Sequence, residues 1–118
     1  DERYKVASGG VLACYLLYQS LMARRRAFDP VGVVVWHKLA GAFAPVVFYL
    51  HASRFAPGYL LLLSSVFLGT VGLGLLHRPI LRSRARRLYA WWFVLHLVTS
   101  SVLVVLSAYH VVIALAYE

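Results

Sequence analysis

Four long stretches of the chain carry almost no charge: Val6–Ala23, Val31–Ala52, Tyr59–Leu76 and Leu88–Tyr117. A helix crosses the hydrocarbon core of a bilayer with about 17–25 apolar residues, and each stretch meets that length; the last exceeds it and is expected to tilt or protrude. A soluble domain of 118 residues cannot hide a chain that is 62% hydrophobic with a mean hydropathy of +0.75, because too little interior exists at that size. The 14% of charged residues falls well below the roughly 25% of an ordinary globular domain. A single cysteine, Cys14, rules out a disulfide scaffold, and the shortage of charge rules out disorder.

In lipid every backbone polar group needs an internal partner, so the spans are expected to be helices. The fold predicted is therefore all-α: an integral membrane four-helix bundle, one domain over residues 1–118, with spans at about 6–23, 31–52, 59–76 and 88–117. The first stretch does not read as a signal peptide, since its basic cluster follows the apolar run and no small-residue cleavage site comes after it. Asp29-Pro30 reads as the N-cap and first residue of the second helix. Pro57-Gly58 reads as a turn before the third helix, and Pro79 is expected to stop that helix at Arg78. Cys14 is expected to be buried in the first span, where it serves packing only.

The net charge of +8 is a matter of position. Arg24, Arg25 and Arg26 follow the first span, and Arg78, Arg82, Arg84, Arg86 and Arg87 lie between the third and fourth. The other side holds Asp1, Glu2, Arg3, Lys5, Arg54 and Glu118, which cancel. The positive-inside rule then predicts both termini on the outer, periplasmic-type side and both arginine loops inside. Anionic headgroups of the lipid bilayer are the default partner of that charge, and nucleic acid is not. The location predicted is a multi-pass integral membrane protein of a bacterial or organellar inner membrane.

Ionisable groups inside a span are costly and are functional candidates. His37 and His51 lie fourteen residues apart in the second span, and His96 and His110 fourteen apart in the fourth. Fourteen helical steps end about 40° short of four turns, so each pair shares a face, with roughly 21 Å between its members. Both spans run from inside to outside, which sets His37 level with His96 near the inner face and His51 level with His110 near the outer face. Stacked imidazole pairs of this kind suit two haem b groups (iron protoporphyrin IX), each iron taking one nitrogen from either side. Zinc asks for three or four ligands at one depth. The plainer alternative is four hydrogen-bonded intramembrane histidines without a cofactor.

The motifs His37-x13-His51 and His96-x13-His110, on two helices separated by one other, resemble the di-haem core of transmembrane b-type cytochromes. That group includes cytochrome b of the bc complexes and the membrane domain of ferric reductases and NADPH oxidases. The resemblance spans roughly residues 29–117 and implies a haem-ligand role for those four histidines. It brings no G-x-G-x-x-G segment and no Pro-Glu-Trp-Tyr quinol-oxidation segment.

Around the histidines, Gly41 and Ser107 read as haem-packing residues on the ligand faces, and Gly9, Gly10, Gly69, Gly72 and Gly74 as small residues making room or simply packing helices. Pro45 is expected to kink the second span, Gly41 easing its fit. Lys38, Arg86 and Arg87 are candidate propionate partners at the inner haem, and Arg54 at the outer one. His77 reads as a wetted interfacial residue; Tyr89, Trp91 and Trp92 read as an inner aromatic belt, and Tyr4, Tyr59 and Tyr117 as outer anchors. All four carboxylates sit at span ends, so acid–base catalysis has little material. The function expected is transmembrane electron transfer as a subunit of a larger redox complex, drawing on a redox partner protein or a quinone and on other subunits. Two alternatives stand beside it: a self-contained membrane reductase of quinone, metal or oxygen near Arg54 and His51, and a structural membrane subunit without a cofactor.

Overall fold

The computed structural model describes residues 2–24, 30–52 and 56–117. Every regular element among them is a helix: α1 (Glu2–Arg24), α2 (Pro30–His51), α3 (Tyr59–Leu75), α4 (His77–Arg82) and α5 (Arg86–Tyr117). The chain divides into two compact units, Asp1–Arg54 and Phe55–Glu118. In the first, α1 packs along α2; in the second, α3 and α4 pack on α5.

Glu2 stands in the first turn of α1, where its charge complements the exposed N–H groups. Pro30 opens α2, a position where its missing N–H costs nothing; the N-cap expected at Asp29 lies outside the described residues. Pro45 falls inside α2, which runs through it although the Gly41 carbonyl loses its usual donor. Gly58, at φ 78°, makes the turn that Pro57-Gly58 predicts, a left-handed conformation that glycine adopts without steric cost. Its carbonyl accepts the N–H groups of Leu61 and Leu62 at 3.1 and 3.4 Å and so starts α3.

Pro79 acts differently from the expectation. The third helix ends at Leu75, and Leu76 to Ser83 turn into the short α4, whose third residue is Pro79. A proline is tolerated in a first helical turn because the N–H it lacks has no intrahelical acceptor there. It therefore sits at the start of a new helix, and His77 begins α4 where it was expected to close α3.

Each unit has its own small core. Leu12 of α1 and Val33 and Ala44 of α2 are buried in the first; Phe67, at 2% exposure, Ser64, Thr70 and Leu103 are buried in the second. Thr70 donates its hydroxyl to the Val66 carbonyl at 2.8 Å, which satisfies it inside its own helix. Large apolar side chains elsewhere face outward, among them Phe43, Trp36, Trp91 and Val105. That distribution suits a lipid solvent, which leaves no reason to hide them. Cys14 is exposed, against the burial expected of it: it falls on the face of α1 that also exposes Val11 and Tyr18.

Among the described residues three helices are long and apolar enough to cross a membrane: Glu2–Ala23, Val31–His51 and Arg86–Tyr117. α3 has 17 residues, about 25 Å at 1.5 Å per residue, against a hydrocarbon core of about 30 Å. α5 has 32 residues, roughly 48 Å, so it overshoots that thickness as the sequence predicts.

Candidate functional site

The histidine pairs predicted from spacing each fall on one continuous helix. His37 and His51 are on α2, in the first unit; His96 and His110 are on α5, in the second. All four are half-buried.

In the first unit α1 holds the last turn of α2. A helix ends with four carbonyls that lack intrahelical donors. Tyr4 donates its hydroxyl to one of them, that of Leu50, at 2.7 Å. One turn along, Ser8 Oγ lies 3.1 Å from His51 Nδ1 and donates to the Lys5 carbonyl at 3.1 Å. A hydroxyl has one proton. With that proton on Lys5, Ser8 Oγ accepts from Nδ1–H, and the network assigns His51 the tautomer with its lone pair on Nε2. The ring lies over Gly9, where an added Cβ would stand 3.0 Å from His51 Cε1. At the other end of the hairpin Gln19 donates to the His37 carbonyl at 3.4 Å, and Gly41 faces the same Gln19 amide at 4.0 Å from its would-be Cβ.

Gly9 and Gly10 therefore make a matched pair for substitution. Alanine at Gly10 meets no atom within 4 Å, and is expected to gain roughly 0.5–1 kcal/mol from helix propensity. Alanine at Gly9 gains the same but crowds the His51 ring, an overpacking cost of about 1–3 kcal/mol. Unfolding in mixed micelles followed by circular dichroism should rank Gly10→Ala above the parent chain and Gly9→Ala below Gly10→Ala; equal stabilities for the two variants would show that His51 does not rest on Gly9.

In the second unit α3 and α5 frame the other pair. Tyr59, the first residue of α3, brings its hydroxyl 3.3 Å from His110 Nδ1 and meets Tyr109 edge-on at 5.5 Å and 82°. Both C-terminal members of the pairs thus have Nδ1 tied to a hydroxyl, Ser8 for His51 and Tyr59 for His110. Such a contact holds each ring by one nitrogen and leaves Nε2 on its far side. His96 lies 3.6 Å from where a Cβ on Gly74 would be and is stacked by Trp92, with centroids 5.7 Å apart and 8° between planes. Trp92 also meets His77 at 5.1 Å, and donates its indole N–H to the Leu73 carbonyl at 2.6 Å.

Several expected roles change. Trp92 is half-buried and bonded inside its unit, while Trp91 is 74% exposed; adjacent residues lie about 100° apart on a helix, so the two rings face different sides of α5. Tyr59 is a histidine partner, and His77 packs on Trp92 in place of a wetted position. Gly10, Gly69 and Gly72 have open space around them, while Gly9 lies tightly under His51 and Gly74 beside His96. Lys38 and Ser107 are half-buried, and Arg86 and Arg87 are exposed at the start of α5. Arg54 lies outside the described residues.

Sequence reasoning passed over Ser8. A signal was present in Tyr4 and Ser8, hydroxylated residues four apart that share one face of α1, and in Gly9 beside them, small where a ring must fit. Among the described residues no three His, Cys, Asp or Glu side chains converge to hold an ion. The chain matches no protein-family model, no curated protein and no solved structure.

Proposed function

We propose that the chain carries electrons across a membrane, with two b-type haems held by His37 with His96 and by His51 with His110. The observation that carries this reading is the doubled fourteen-residue spacing of histidines on two membrane-length helices. Four imidazoles, with no third His, Cys, Asp or Glu converging on them among the described residues, fit the group, because a haem iron asks the protein for only two nitrogens. The glycines that admit His51 and His96, and the hydroxyls that orient His51 and His110, support it further. When bound, a haem with two imidazoles supplies one-electron exchange between ferric and ferrous iron.

The chain's own residues do the rest. His37, His51, His96 and His110 would hold the groups through their ring nitrogens, and the contacts of Ser8 with His51 and of Tyr59 with His110 would keep two of the rings from rotating. Lys38 supplies a cation for the inner propionates and Arg54 for the outer ones, and positive charge near iron favours its reduced form. α3 forms the third span of a four-helix bundle, in a multi-pass protein of a bacterial or organellar inner membrane with both termini outside. The chain works as a subunit of a larger redox complex and takes its electrons from a quinol or a partner protein.

Haem content decides this reading. The purified chain is expected to hold about two low-spin haems, counted by pyridine haemochromogen absorbance against protein and checked by electron paramagnetic resonance. A count of zero from haem-replete cells would overturn it in favour of a structural subunit.

A further inference from the structure

An open groove of about 400 Å³ lies at the elbow between α4 and α5, and Ile80, Leu81, Arg84, Arg86, Tyr89 and Ala90 line it. A second hollow of about 220 Å³ continues along α5, lined by Arg87, Ala90, Trp91 and Val94. Those four residues follow the i, i+3, i+4, i+7 pattern of one helix face. Arg87 and Val94 stand seven residues apart, so the lane descends about 10 Å along the axis, from a charged mouth to an apolar floor.

The charge at the mouth has no acidic neighbour nearby in the chain. Five arginines fall between residues 78 and 87, while residues 55–117 contain no Asp or Glu. Arg86 and Arg87 also occupy the first turn of α5, which has no acidic residue, although cations are disfavoured at that end of a helix. Arg84 sits at φ 53°, the one non-glycine residue with positive φ among those described, where a side chain costs about 1–2 kcal/mol. Ser83 fixes the turn by donating its hydroxyl to Ile80 at 2.7 Å and accepting the Ala85 N–H at 3.4 Å. Cations are held here against local preference, which suits the binding of an anion.

We propose that this elbow binds one anionic phospholipid of the surrounding bilayer, its phosphate among Arg84, Arg86 and Arg87 and an acyl chain along Ala90, Trp91 and Val94. The inference rests on the membrane-length helices and is independent of haem. A phosphate matches guanidinium groups in charge and geometry, and the apolar lane below it matches a tail. A soluble anion would use the mouth and leave the lane empty.

Native mass spectrometry of the full chain, in mild detergent with equimolar phosphatidylglycerol and phosphatidylcholine, tests the site. One phosphatidylglycerol is expected to be retained, at least about tenfold over phosphatidylcholine, equivalent to about 1.4 kcal/mol. Arg84→Gly suits the backbone at φ 53°, so it should not harm the fold, yet it is expected to lower retention about fivefold, the worth of one arginine near an anionic surface. Ala90→Phe removes no charge and fills both hollows, and is expected to lower retention about tenfold. The pair Arg78→Gln with Arg82→Gln, outside the groove lining, is expected to change retention less than Arg84→Gly alone. Equal retention of the two lipids, no loss in Ala90→Phe, or a loss in the outer pair matching its two charges would each overturn the site in favour of a diffuse basic belt. Displacement of the lipid by millimolar inorganic phosphate would overturn the acyl-chain half of the proposal.

Discussion

Replacing His96 by alanine is expected to cut the haem content from about two per chain to about one, with the surviving spectrum that of the His51–His110 site. The prediction follows from depth. His96 lies eight residues after Leu88 and His37 seven after Pro30, a difference of about 1.5 Å in rise on two helices predicted to run the same way. If one iron is shared, the losses cannot add: His37→Ala, His96→Ala and the double variant should each lose the same haem, the signature of residues acting as a unit. His51→Ala should remove the other haem and leave the first. Haemochromogen counts and low-temperature optical spectra read this directly. A double variant of His37 and His96 that loses both haems, while each single loses a different one, would show that α2 and α5 each serve separate sites. A cofactor-free chain would show no spectrum to lose, and His51→Leu would then be tolerated, so the two failures are distinguishable.

The parts of the fold that were legible in the sequence are those set by strong local chemistry. Long apolar runs specify helices because lipid leaves backbone groups no other partner, and Pro57-Gly58 specifies a turn because Gly58 takes a left-handed φ. Pro79 was misread for a physical reason. A proline marks a place where an N–H is missing, which is compatible with the end of one helix or the first turn of the next; α4 uses the second option. The third run has 18 residues, Ser64, Ser65 and Thr70 among them, and α3 takes up 17 of them. Among side chains, periodicity found the histidines, since a common face is a property of one helix. It could not find what lies across from them. Ser8 and Tyr59 reach His51 and His110 over 43 and 51 residues of chain, and Trp92 reaches Leu73 over 19. Such contacts depend on how two helices rotate against each other, which no single-helix pattern encodes. Cys14 failed in the same way: hydropathy makes it a membrane residue but does not say which side of α1 meets α2.

Trp92 is where the packing of the second unit and the proposed ligand meet, and Trp92→Ala is expected to disturb both. A buried tryptophan cut to alanine in a water-soluble core costs about 3–5 kcal/mol. Trp92 is half-buried, and in lipid the transfer part of that cost falls away because the tails are as apolar as the ring. About 2 kcal/mol remains, from lost contacts with His77, Tyr89 and His96 and from the bond to the Leu73 carbonyl. Phenylalanine separates these contributions. It keeps a ring to stack on His96 and loses only the indole N–H, and the Leu73 carbonyl still accepts the Leu76 N–H at 3.2 Å. Trp92→Phe should therefore cost about 0.5–1 kcal/mol, the low end for a hydrogen bond whose acceptor keeps a partner. Unfolding in mixed micelles measures both values without reference to any cofactor. In the haem-loaded chain, Trp92→Ala is expected to lower occupancy or broaden the spectrum of the haem at His96 while leaving that at His51 and His110 as it was, and phenylalanine should restore it. Unchanged stability in Trp92→Ala would remove Trp92 from the packing of α3 on α5. Equal disturbance of both haems would mean that the tryptophan supports the bundle at large and does not hold His96 in its plane.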